Sequence, residues 1–202
     1  MLSESERAEG WISLFDGTTL NGWRATGETE GWMVDDGSIL CTLQGGKYLY
    51  TLEQFDDFIL AIDFKITPKT NSGIFVRWGD LNDAVHTGIE IQILDTHGKT
   101  PTGTHDCGAV YDALAPTRNV CKPTGEWNHT VITCDKNIIT VEMNDKKIVE
   151  ANLDLWTTPG MNPDGTKNKF RDALKDMPRC GHIGLQDHGG KIWFRNIKLK
   201  RL

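Results

Sequence analysis

The alternation of side chains between residues 58 and 66 constrains this chain more than any other feature. Phe58, Leu60, Ile62, Phe64 and Ile66 fall on one side of an extended backbone, and Ile59, Ala61, Asp63 and Lys65 fall on the other. A period of two with one apolar side is the signature of a strand that buries a single face. The pattern returns along the chain. Residues 138–143 and 146–152 flank Asn144-Asp145, a dipeptide that tolerates the positive backbone angles of a tight hairpin. Residues 181–186 and 192–199 flank Asp187-His188-Gly189-Gly190, a longer glycine-containing hairpin. Further strands are expected at 11–15, 32–42, 48–51, 73–78, 88–94, 108–111 and 127–134.

About a dozen short strands with one candidate helix, at 169–176, favour an all-β sandwich or jelly roll of two antiparallel sheets over a parallel α/β sheet. No repeat of about forty residues points to a propeller. A chain of 202 residues is long enough for one full core, so a single domain is expected over 10–202 behind an N-terminal tail, 1–9. Residues 154–179 are too long for an ordinary connection in a compact domain, and read either as a functional lid, the favoured reading, or as a mobile surface excursion, carrying the one helix. Between Phe194 and Ile197 alternation breaks, because both look core-facing although three apart; a bulge near Arg195-Asn196 reconciles them.

Composition removes several function classes. With 22 basic and 28 acidic residues the formal charge is −6, which argues against nucleic acid and anionic membrane as partners. No apolar run is long enough to span a bilayer. Met1 to Glu9 is charged where a signal peptide would be apolar, so the cytoplasm is expected unless a leader has been removed, in which case the periplasm or exterior. Five cysteines cannot all pair within one chain and are expected as buried thiols; the alternative is that Cys107 and Cys121, which bracket a loop, are stapled in an oxidising compartment. There is no C-x-x-C knuckle and no H-x-x-x-H pair, so no zinc and no cofactor is expected. Oligomeric state is left open.

Three segments carry side chains suited to chemistry. In 71–78, alternation puts Phe75 and Arg77 on the face opposite Ile74 and Val76; the arginine fork suits a carboxylate, a hydroxyl pair or a developing oxyanion. In 88–95, Ile89, Ile91 and Ile93 occupy one face while Glu90 and Gln92 share the other, with Asp95 just beyond. An unpaired glutamate in the core would cost several kcal/mol, so the isoleucines must point inward and the Glu/Gln pair toward a groove or solvent. Glu90 pairing with Arg77 as structural glue is the alternative. In 184–190, Gln186 and His188 lie opposite Ile183 and Leu185; a turn histidine is accessible and titrates near neutrality, as a general base or acid must. Seven tryptophans are numerous for this length, and sugars stack on aromatic rings. Most are expected to pack, with Trp156 in the lid the candidate for stacking.

Taken together, several segments resemble one family. They are Leu14-Phe15-Asp16-Gly17 with Leu20-Asn21-Gly22-Trp23, Asn71-Ser72-Gly73-Ile74-Phe75-Val76-Arg77, residues 88–95, Gly108-Ala109-Val110-Tyr111, Gly125-Glu126-Trp127-Asn128, and Gly181-His182-Ile183-Gly184-Leu185-Gln186-Asp187-His188-Gly189 with Phe194-Arg195-Asn196-Ile197. In this order they look like the 3-keto-disaccharide hydrolase family, formerly a domain of unknown function. The resemblance implies a concanavalin A-like jelly roll and activity on a small carbohydrate oxidised at carbon 3. Laminarinase-like enzymes of that fold carry two glutamates around an aspartate; here the comparable strand has Glu90 and Gln92, with Asp95 out of phase, which counts against a two-carboxylate retaining mechanism. A ketone at carbon 3 instead acidifies the proton on carbon 2, so one base and an enolate stabiliser suffice. The expected roles are Glu90 or His188 as base, Arg77 as stabiliser, and Gln92, Asp95, Tyr111, Gln186 and Asn71 holding hydroxyls, with Trp156 as a stacking ring. The alternative is a lectin-like carbohydrate-binding module without turnover.

Overall fold

The computed structural model describes residues 2–202 and is built almost wholly from antiparallel strands. In chain order the first seven are β1 (Trp11–Ser13), β2 (Trp23–Ala25), β3 (Trp32–Asp35), β4 (Ser38–Cys41), β5 (Tyr48–Thr51), β6 (Phe58–Ile66) and β7 (Asn71–Trp78). They are followed by β8 (Ile89–Leu94), β9 (Asn128–Asp135), β10 (Ile138–Met143), β11 (Lys146–Asn152), β12 (His182–Gln186) and β13 (Ile192–Arg201). One sheet runs β11-β10-β9-β6-β13-β4-β3, with β1 on β13; the other runs β2-β5-β12-β7-β8. The expected jelly-roll sandwich is the observed architecture.

The alternating residues do what their pattern requires. Leu60, Ile62 and Phe64 of β6 meet Ile89, Ile91 and Ile93 of β8 and Ile183 and Leu185 of β12 in the core between the sheets, all within 1 % of full burial. The five-stranded sheet also carries a smaller cluster on its outer face, from Tyr50, Phe75, Trp78 and Ala84. The predicted bulge in β13 is present: its register against β6 shifts between Arg195 and Lys198, and Asn196 takes φ 53. That shift lets Phe194 and Ile197 both point inward.

Four local expectations are corrected. The 32–42 strand is a hairpin, β3 and β4, turning at Asp36 and Gly37 with positive φ. Strand β2 was not expected at all, having only three residues. Residues 108–111 form no regular strand, although the Gln92 N–H donates to the Ala109 carbonyl, and the Gly108 and Tyr111 N–H groups donate to the Gln92 and Glu90 carbonyls, along the edge of β8. At 169–176 there is only a single 3-10 turn, Leu174–Asp176, because the Phe170 carbonyl accepts from Gly160 and its N–H donates to Asn168, leaving no helical ladder. The tail holds a short capped helix, α1 (Glu4–Ala8), and α2 (Ala84–Thr87) precedes β8.

Candidate functional site

Glu90 and Gln92 stand on the outer face of β8, where the period-two argument puts them. The strand opposite provides the room. Glu90 faces Phe75, and Gln92 faces Gly73, where an added Cβ would lie 2.5 Å from Glu90 Oε1. Glycine there is therefore a space requirement of the carboxylate. Across β7, β12 brings Gln186 opposite Tyr48 of β5, and the Gln186 carbonyl accepts from Ser72 Oγ at 2.7 Å. The turn after β12 presents His188, exposed, with Nδ1 2.7 Å from the Asn71 amide. Tyr111 enters from the segment along β8, fixed by its N–H donating to the Glu90 carbonyl.

The result is a groove of about 260 Å³ lined by Tyr48, Asn71, Val85, Glu90, Gln92, Tyr111, Lys169, Gln186 and His188. Lys169 is its cation. The 154–179 segment is anchored by Trp156, Phe170, Leu174 and Met177, all buried, and from that anchorage Lys169 Nζ donates to Glu90 Oε2 at 3.1 Å. The ammonium also lies 4.6 Å from the centre of the Tyr111 ring, a cation–π distance. Burial pushes the Glu90 carboxyl above the ordinary glutamate range, and the charge and hydrogen bond of Lys169 hold it back only in part. Burial likewise raises the phenols of Tyr48 and Tyr111. A carboxylate whose proton is held more tightly than usual, facing an open groove, is a stronger base once ionised.

Six of the expected site residues thus converge: Glu90, Gln92, Asn71, Tyr111, Gln186 and His188. Three do not. Arg77 is fully buried away from the groove, because β7 carries an extra residue against β12 between Phe75 and Trp78. Arg77 takes φ 51, Phe75 and Trp78 both stay on the outer face, and the guanidinium turns away. Its Nε donates to the Asp56 carbonyl at 3.0 Å, its NH1 to the Lys136 carbonyl at 2.7 Å and its NH2 to Asp57 Oδ1 at 2.8 Å. Trp156 is a buried anchor whose indole N–H donates to Asn162 Oδ1 at 2.8 Å, not an open stacking surface. Asp95 accepts from the Lys69 backbone N–H at 2.9 Å, at the far end of β8. Lys169, Tyr48 and Val85 were not expected. Tyr48 lay within a predicted strand, and Lys169 opened the expected 169–176 helix, which does not form, so its direction is set by the irregular path of the segment.

A larger cavity, about 350 Å³, lies at the outer face of the eight-stranded sheet beside α1. His129 is paired there with Asp63 and Lys198 with Glu6, and the Asp16 carboxylate accepts from Thr18 and Thr19 of its own turn. Among the described residues no cluster of three or more His, Cys, Asp or Glu is arranged to hold a metal. All five cysteines are free thiols, Cys107 and Cys121 included.

Known proteins share the sequence and the fold of this chain. A curated 3-keto-disaccharide hydrolase of Bacteroides thetaiotaomicron is 30% identical over 230 residues, covering 96% of this chain and 79% of that protein. The crystal structure of a candidate glycosyl hydrolase from Parabacteroides distasonis superposes with a TM-score of 0.87 at 34% identity, covering 95% of this chain and 99% of that one. A Bacillus subtilis protein with a galectin-like fold matches at a TM-score of 0.53 and 13% identity, over 98% of this chain and 92% of that one, and shares the fold alone. The model of the 3-keto-alpha-glucoside-1,2-lyase-like domain matches residues 10–200, and the chain belongs to that family of carbohydrate-active, hydrolase-type proteins.

Proposed function

We infer that the groove cleaves the glycosidic bond of a 3-keto-glycoside or 3-keto-disaccharide, beginning with removal of the proton on carbon 2. The observation that carries this reading is that Glu90 is the single carboxylate among the groove-lining residues. A retaining or inverting glycosidase needs a second carboxyl group about 5–9.5 Å from the first. A 3-keto sugar does not. Glu90 or His188 takes the carbon 2 proton, and the electrons of that C–H bond move into the ketone to give an enolate. Lys169, adjacent to Glu90, takes over the stabilising role expected of Arg77. Collapse of the enolate breaks the bond from carbon 1 to its oxygen. The leaving oxygen takes up a proton, and an unsaturated 3-keto sugar remains. Water added across that double bond completes a hydrolysis; without it the reaction is an elimination.

The groove, at about 260 Å³, is smaller than the roughly 300–1,000 Å³ of pockets that enclose drug-sized ligands. That size suits one sugar ring with the rest of the substrate outside. Gln186, Tyr48 and Tyr111 offer the donors and acceptors for ring hydroxyls.

Incubation with 3-keto-trehalose or a 3-keto-glucoside, followed by mass analysis of the sugar product, tests the reading. Product release is expected, with the gain or loss of water separating hydrolysis from elimination. Glu90→Ala and His188→Ala should lower kcat, the base by about 10²–10⁴-fold. Full activity in both variants overturns the assignment. Saturable sugar binding with no product would favour the lectin-like reading, to which the galectin-like neighbour lends its fold.

A further inference from the structure

Gln92 has an amide whose two ends face different partners. One end lies 3.0 Å from the Ser72 carbonyl oxygen and 3.3 Å from Glu90 Oε1. The other lies 3.1 Å from the Asn71 amide. A carbonyl oxygen can only accept, and an ionised carboxylate can only accept. The NH₂ of Gln92 must therefore face Ser72 and Glu90, which leaves its oxygen toward Asn71. The Asn71 group facing Gln92 is then its NH₂, and the group facing His188 is its oxygen. That oxygen lies within hydrogen-bond distance of His188 Nδ1, at 2.7 Å. An oxygen at that distance from a ring nitrogen requires the nitrogen to carry a proton.

We propose that Asn71 is a positioning residue which, held by Gln92, fixes His188 as the tautomer with its proton on Nδ1 and its lone pair on Nε2. The proposal rests on the reading of the groove as a site of proton abstraction, because only there does a free Nε2 lone pair matter. Two fixed points make the chain directional. The Ser72 carbonyl belongs to the β7 backbone and cannot exchange donor for acceptor. The Asn71 N–H donates to the Gly189 carbonyl at 2.8 Å, so the turn bearing His188 is tied to the residue that orients it. A histidine held through one ring nitrogen by a neighbouring acceptor is the general arrangement that selects its tautomer. Here the acceptor is a neutral amide whose own orientation is set two residues away, so the imidazole is directed without being given a counter-charge by it.

Nitrogen-15 NMR of the imidazole, on the intact protein without substrate, reads the tautomer directly. Wild type is expected to show His188 protonated on Nδ1. Asn71→Asp keeps an acceptor toward Nδ1 and should keep that tautomer, whereas Asn71→Ala should relax toward the Nε2–H form that predominates in free histidine. On a 3-keto-glucoside, Asn71→Ala should lose about 10–100-fold in kcat, the usual cost of an orienting partner. Its KM should stay within about threefold, and Asn71→Asp should recover part of the loss. A wild-type His188 protonated on Nε2 overturns the proposal whatever the activity, as does an Asn71→Ala variant that changes tautomer yet keeps its kcat. Should Asn71→Ala fail to fold, the wild-type and Asn71→Asp spectra still decide the tautomer. If the tautomers behave as expected but wild type releases no product, the functional reading fails and the positioning of His188 stands.

Discussion

Arg77→Met separates a structural arginine from a catalytic one. The guanidinium makes three hydrogen bonds, to the Asp56 carbonyl, the Lys136 carbonyl and Asp57 Oδ1, and its side chain is 0% exposed. Truncating one partner of a buried pair costs about 3–5 kcal/mol, mostly because the other partner is left uncompensated. Asp57 moderates this, since it is 30% exposed and also accepts from the Lys136 N–H at 2.9 Å. Methionine fills most of the volume of the arginine stem, so the cavity contribution is small. The expected loss is therefore at the lower end, about 3 kcal/mol, which for a domain of this size lowers Tm by roughly 6–12 °C. Thermal and urea unfolding give the stability, and kcat and KM on a 3-keto-glucoside well below Tm give the function per folded molecule. Stability should fall and kcat should hold. A loss below about 1 kcal/mol, or a fall in kcat of tenfold or more with tertiary structure intact, refutes the structural role.

Gly73→Ala puts a Cβ 2.5 Å from Glu90 Oε1, so the carboxylate must move; kcat should drop about 10²-fold, as for misplacement by an ångström, and unchanged kcat would show that Glu90 is not in use. Lys169→Met removes the charge that opposes the burial-driven rise of the Glu90 pKa, so the acid limb of kcat/KM should move to higher pH; an unmoved limb argues against Glu90 as the base. His129 is raised, first by its hydrogen bond to Asp63, while Asp63 is lowered because the bonds from His129 and Asn196 outweigh its burial. The raised histidine stabilises the fold fully below its unfolded pKa of about 6.5 and ceases to as pH rises through its folded value; the lowered aspartate stabilises above about 3.9 and ceases to as pH falls through its folded value. His129→Gln should thus cost up to about 1 kcal/mol near pH 5.5, discounted because the ring is 46% exposed, and less near pH 9. Chemical denaturation at the two pH values checks this, and equal costs refute it.

The alternation along β6, β8 and β12 was enough to divide inside from outside. It placed Ile89, Ile91 and Ile93 in the core and left Glu90, Gln92 and Gln186 for the groove, because the side-chain period of a strand is local and an unpaired buried carboxylate is costly. The broken phase between Phe194 and Ile197 even located the β13 bulge. The same rule misdirected Arg77: a bulge in β7 is decided by its pairing with β12, and the residues 71–78 alone carry no mark of it. Trp156 and Lys169 were equally beyond local reading, since the direction of each depends on how the 154–179 segment packs against residues far away in sequence. The amino-acid sequence by itself determined the sandwich, its two faces and the polar wall of β8, because these follow from periodicity and burial. Only the tertiary structure decided which cation meets Glu90, since an aperiodic loop takes its course from the surface it packs on.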